Sequence, residues 1–195
     1  MSHSYETRIF TAPADGFPAA PLTADQLDQI CHTAGQEASA RKDALHNVFG
    51  STRSGYAIYT LAEILKAKPF PALEFLTDTG HDYSFPGEHG EESLVTVLDR
   101  ARQEEVIAAF QQLFGDLTAA PEIVYEAENF GHLCDGDVEA ALARDYVSAS
   151  PSLDSAIYGD EGEGADYMFA YLRSVLKVIQ NAHAEGKVAV YQLEY

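Results

Sequence analysis

Apolar and polar positions alternate from Tyr5 to Thr11, with Tyr5, Thr7 and Ile9 on one face and Glu6 and Arg8 on the other. A period of two predicts a half-buried strand. Pro13, Gly16, Pro18 and Pro21 then make a loop too rich in proline to pair inside a sheet. The pattern changes to helical at Thr23: its hydroxyl is placed to cap a first turn, Gln26 completes a capping box, and Leu22 and Leu27 form a hydrophobic staple. Leu27, Ile30, Cys31, Ala34 and Ala38 carry that stripe onward. A second stripe, Ile58, Leu61, Ile64 and Leu65, predicts a helix from about Gly55 to Ala67 that Pro69 and Pro71 stop.

The segment Thr77 to Glu92, with its three glycines and one proline, reads as a long surface loop. Leu94 to Leu98 fits a strand and equally the first turns of a helix. Val106, Ile107, Phe110, Leu113 and Phe114 share a face and predict a helix over Glu104 to Phe114, ended by Gly115. From Glu122 to Glu128, Ile123, Tyr125 and Ala127 alternate with Glu122, Val124, Glu126 and Glu128, which predicts a strand with an acidic outer edge. Asp135 is a credible N-cap for a helix through Val138, Ala141, Leu142 and Tyr146. The longest helix is predicted over Ala165 to Glu185, where Met168, Tyr171, Leu172, Val175, Ile179 and Ala182 form the stripe and Gly186 the stop. Val188 to Leu193 is a last strand, expected beside the N-terminal strand or the one near Tyr125. These elements define an α+β fold, a small, mainly antiparallel sheet covered by helices. With 195 residues, 46% of them hydrophobic, and no long linker or internal repeat, the expectation is a single domain over 1–195.

Charge changes the picture most. Lysine and arginine total 12 against 31 aspartates and glutamates, a formal charge of −19. Such a chain repels phosphate backbones and anionic membranes, so nucleic acid and membrane surfaces are not expected as partners. The excess is concentrated: Gln103 to Leu172 holds 15 acids and one base, Arg144, a net −14 in 70 residues. Acids there are interleaved with Tyr125, Phe130, Tyr146, Tyr158 and Tyr167, and aromatic anchors ringed by charge are the makings of a binding hot spot. A solvated surface that keeps the protein soluble is the plainer account of the same residues. The sharper expectation is a non-catalytic acidic protein that neutralises a basic protein partner, as an immunity protein or inhibitor of a toxin or nuclease does. Its binding face is assigned to Glu122, Tyr125, Glu126, Glu128, Asp135, Asp137, Tyr158, Asp160, Glu161, Glu163 and Asp166.

Catalytic and metal motifs are sparse. Asp160-Glu161-Gly162-Glu163-Gly164 has the composition of a calcium loop but lacks the twelve-position ligand pattern. His81, Asp82, Glu88, His89, Glu91 and Glu92 offer a ligand mix that zinc or iron accepts, and a metal-dependent hydrolase using the His81 to His89 loop is the alternative reading. The two histidines lack the i, i+4 spacing of a helical pair, and a surface loop containing them by chance is favoured. His32, His46, His132 and His183 are isolated. Cys31 and Cys134 form no C-x-x-C pair and are expected reduced and mostly buried; Cys134 beside His132 and Asp135 is a grouping in sequence, which says nothing about proximity in space. No G-x-S-x-G elbow, P-loop or G-x-G-x-x-G occurs. No cofactor is expected. No run approaches the ~18 apolar residues of a membrane span, and Glu6 and Arg8 occupy the place of a signal-peptide core, so the protein is expected in the cytoplasm.

Ala156-Ile157-Tyr158-Gly159, then Asp166 to Leu172 (DYMFAYL), then Ala182 to Tyr191 (AHAEGKVAVY), resemble the end of the YfbM-like family of uncharacterised bacterial proteins. That family tends to end in an I-Y-P-like element, a long aromatic helix and a G-x-x-V strand; here Gly159 stands in place of the proline. The resemblance covers about a third of the chain and implies an α+β fold without an established activity.

Overall fold

The computed structural model describes residues 6–15, 17, 21–40, 49–52, 55–86, 92–126 and 165–194. Its strands are β1 (Glu6–Pro13), β2 (Phe49–Thr52), β3 (Tyr83–Pro86), β4 (Glu92–Leu98) and β5 (Lys187–Glu194), joined antiparallel in the order β2-β1-β5-β4-β3. The helices are α1 (Ala24–Ala40), α2 (Gly55–Ala67), a 3-10 turn (Pro71–Leu76), α3 (Arg100–Ala119), the single turn α4 (Glu122–Tyr125) and α5 (Ala165–Glu185). The architecture is α+β.

Successive residues of a strand point to opposite faces, and the two faces have different covers. Ile9, Leu94, Leu98, Ala189, Tyr191 and Leu193 face the larger core, which α2, the 3-10 turn, α3, α4 and α5 complete. Phe10, Val95 and Val190 face the other way, where Leu22 and the α1 residues Leu27 and Ala34 meet them. β1 is therefore buried on both faces rather than one: Thr7, Ile9 and Thr11 are covered, and so are Phe10 and Ala12. The last strand lies where one of its two expected positions put it, beside the N-terminal strand: β5 pairs with β1 from Glu6↔Glu194 to Pro13↔Lys187. Pro13 holds the last rung, where a missing N–H is least harmful. The second partner of β5 is β4, not the region near Tyr125.

α1 begins as its sequence predicts. Thr23 N donates to Gln26 Oε1 at 3.0 Å and Gln26 N to Thr23 Oγ1 at 3.3 Å, while Leu22 and Leu27 are both buried. α2 and α5 have the predicted bounds, and Gly186 closes α5 at φ 65°. α5 is covered on nearly every side from Phe169 to Ile179, Arg173 and Ser174 included, because it touches β1, β2, β5, α2 and α3 together.

Three expectations are corrected. The segment Thr77 to Glu92 is not all loop: Tyr83–Pro86 pairs with β4, its half-buried Tyr83 and Phe85 alternating with exposed Ser84 and Pro86. A four-residue edge strand is too short to raise a clear period above its turn-forming neighbours. The helix predicted over Glu104 to Phe114 runs from Arg100 to Ala119. Asp99 caps it by accepting from Arg102 N at 2.9 Å, and Gly115 lies inside it, since Leu117 still has core to cover. Glu122 to Glu128 is not a strand where described. Glu122–Tyr125 is a helical turn in which Val124, assigned to the outer edge, is fully buried. The predicted helix after Asp135 lies outside the described residues.

The interior also carries polar ties. Gln103, fully buried, donates from Nε2 to Leu98 O and Lys187 O, both at 2.9 Å, and so fastens the start of α3 to the start of β5. Tyr171 and Tyr191 share a hydroxyl–hydroxyl bond of 2.7 Å beneath the sheet. Burial pushes the Tyr191 hydroxyl well above the usual tyrosine value, so it stays protonated.

Candidate functional site

α3 ends at Ala120, whose N–H returns to Asp116 O, and Pro121 starts a new turn with its φ already set for a helix. Val124 anchors that turn in the core and Ile123 packs against its edge. Glu122 and Glu126, one turn apart, are left exposed. Tyr125 belongs to the same turn. Two of the predicted binding residues, Glu122 and Tyr125, thus lie on this turn, and a third, Glu126, is its C-cap. Asp166 falls in the first turn of α5. Glu128, Asp135, Asp137, Tyr158, Asp160, Glu161 and Glu163 lie outside the described residues.

Several basic side chains among the described residues are engaged in ion pairs. Lys68 pairs with Asp116 at 3.3 Å, Arg100 with Glu104 at 3.5 Å, and His183 with the same Glu104 at 3.0 Å. The His183 bond holds the Glu104 carboxyl below its ordinary value. Elsewhere Arg8 pairs with Glu194, Lys66 with Glu63, Arg102 with Asp82 and Lys187 with Glu185. Exposed Glu105, Glu122 and Glu126 take part in none of these described pairs.

The described part of the histidine segment has partners within the fold. His81 Nε2 donates to Thr77 O at 2.7 Å, and His81 Nδ1 meets the Thr96 hydroxyl at 3.1 Å, so both ring nitrogens are occupied within the fold. Asp82 Oδ2 accepts from Val97 N at 2.8 Å and from Arg102 Nη1 at 2.6 Å. Glu92 accepts from Ser84 Oγ across the β3–β4 ladder. Among the described residues no three His, Cys, Asp or Glu side chains are grouped to hold a metal ion; Glu88, His89 and Glu91 lie outside them.

Cys31 is a free, half-buried thiol on α1. Burial pushes it up, more than the neighbouring Arg8 guanidinium pulls it down, so it is held as the protonated, poorly nucleophilic form. Cys134 and His132 lie outside the described residues. A cleft of about 410 Å³, which the sequence did not signal, opens between the end of β1 and α1, walled by Pro13, Asp15, Phe17, Gln26 and Ile30. Among the described residues no helix is long and apolar enough to cross a membrane.

Fold and surface together define an α+β protein with a five-stranded antiparallel sheet and a carboxylate-rich exterior. Comparison of the chain with protein-family models, with curated proteins and with solved structures finds no match in any of the three. The resemblance to the YfbM-like family accordingly rests on its quoted motifs alone.

Proposed function

We propose that this is a non-catalytic binding protein whose acidic second half engages a basic protein partner, in the manner of an immunity protein or an inhibitor of a toxin or nuclease. The observation that carries the reading is the net −14 between Gln103 and Leu172. The exposed carboxylates Glu122 and Glu126 on a turn anchored by Val124 support it. Opposite charge on a partner accelerates encounter and fixes orientation, and a surface of carboxylates imitates the phosphates that a nuclease site is built to hold.

The test is a pull-down from native lysate at low and moderate salt, using the full chain and an E122K/E126K variant. Both positions are exposed, so circular dichroism of the variant should match the parent, with a Tm no lower. A basic protein retained by the parent at low salt, and weakened by the variant, is the expected result. Equal capture by both proteins, or capture unaffected by salt, would sink the proposal.

A further inference from the structure

One histidine ring ties together the root of the β3–β4 hairpin. A carbonyl has no proton to give, so the bond to Thr77 O requires the hydrogen to sit on His81 Nε2. Nδ1 of the neutral ring is then bare and accepts from the Thr96 hydroxyl. The ring lies parallel to Tyr191, with centroids 6.4 Å apart and planes at 14°. Thr96 and Tyr191 are fully buried. Gly80, at φ 74°, turns the chain into this position, and a Cβ there would stand 3.1 Å from Glu74 Cβ. Asp82, which follows His81, locks onto β4 through its N–H to Val95 O at 2.9 Å. His81 and Asp82 therefore join the end of the 3-10 turn, β4, β5 and, through Arg102, α3.

We infer that His81 is an acid-sensitive latch on the β3–β4 hairpin, closed while its ring is neutral and released when Nδ1 takes up a proton. In the neutral ring each contact has one donor and one acceptor. A proton on Nδ1 sets N–H against the Thr96 O–H, so that hydroxyl must turn its hydrogen away; among the described residues His81 is the partner it has. An unmatched donor in a buried site is costly. The groups facing the ring pull in both directions. The Asp82, Asp78 and Glu92 carboxylates and the Thr77 carbonyl favour the charged form, whereas burial opposes it and prevails, holding His81 below its usual 6.5. Asp82 is itself partly neutralised by Arg102, and Tyr191 presents an uncharged ring. With the folded value depressed, the latch's contribution to stability is whole above pH 6.5 and is lost as pH falls through the folded value.

The experiment follows the His81 ring resonances and hairpin amide protection by NMR on the full chain, from about pH 7.5 to about pH 5. The parent is compared with His81→Gln, which keeps a donor for Thr77 without titrating, and with His183→Gln as a control for other histidines. The expected result has three parts. The ring titrates below 6.5. Protection of Tyr83–Pro86 and Leu94–Leu98, corrected for intrinsic exchange, falls about threefold or more in the parent and in His183→Gln. It stays level in His81→Gln. Titration at or above 6.5, unchanged protection while the ring titrates, or an equal fall in His81→Gln would each overturn the inference. So would a ring whose titration disappears on adding zinc(II), because the nitrogens would then be ligands. Should His81→Gln not fold, the ring titration and hairpin exchange of the parent decide the matter together.

Discussion

Gly115 lies inside α3 with open space where a Cβ would stand, and Gly186 ends α5 at φ 65°, also with open space around it. Crowding is equal at the two sites, so an alanine scan of this pair isolates backbone conformation. Gly115→Ala is expected to stabilise the protein by about 0.5–1 kcal/mol, since alanine is the better helix former and narrows the unfolded ensemble. Gly186→Ala is expected to destabilise it by roughly 1 kcal/mol or more, because an L side chain resists the left-handed region. Urea denaturation of both variants checks the pair, and like-signed shifts would contradict the argument. The same contrast shows what single residues disclose before a fold is known. Thr23 and Gln26 announced their roles because each is the other's hydrogen-bond partner, three positions away. His81 did not, because it is placed by Thr96 and by Tyr191, which are remote in sequence, and no local pattern distinguishes a ring with two fold-given partners from one awaiting a metal.

At the level of elements, the capping box carries a measurable share of α1. Thr23→Ala removes the acceptor for Gln26 N and should cost about 1 kcal/mol, with loss of protection confined to the first turns of α1 in hydrogen exchange. Loss spread evenly over the sheet would show that the cap acts through something other than helix fraying. α2 and α5 were legible to their ends because a long apolar stripe bounded by proline or glycine has one interpretation. Short elements had no such advantage. Glu122–Tyr125 alternates in composition, yet Val124 is the residue drawn into the core, since a chain leaving α3 at Ala120 continues most economically into another turn. β3 was hidden for a related reason: its strand character comes from pairing with β4 rather than from its own four residues. The candidate binding face was legible as charge but not as shape, because composition counts carboxylates without saying which of them share an element.

For the molecule as a whole, net charge dominates the solution behaviour. With 31 acids against 12 bases, self-repulsion acts on the folded state, and the six Lys or Arg ion pairs described here are too few to offset it. Raising sodium chloride shortens the screening length from about 30 Å at 0.01 M to about 10 Å at 0.1 M, so Tm is expected to rise over that range, by a few degrees. A fall in Tm would mean that attraction between paired charges outweighs the repulsion. The sheet order has a different consequence, for synthesis on the ribosome. β1 is the first described strand to emerge and β5 the last, yet the two are hydrogen-bonded along their full length. At about 5–20 residues per second, roughly 9–36 s separate the appearance of β1 from that of its partner. During that interval β1 has one flank without its mate, and the central pairing of the sheet can form only after translation has passed Glu194. Nascent chains arrested before Lys187 should therefore be sensitive to protease throughout the sheet, while the full 195-residue chain released from the ribosome should resist it.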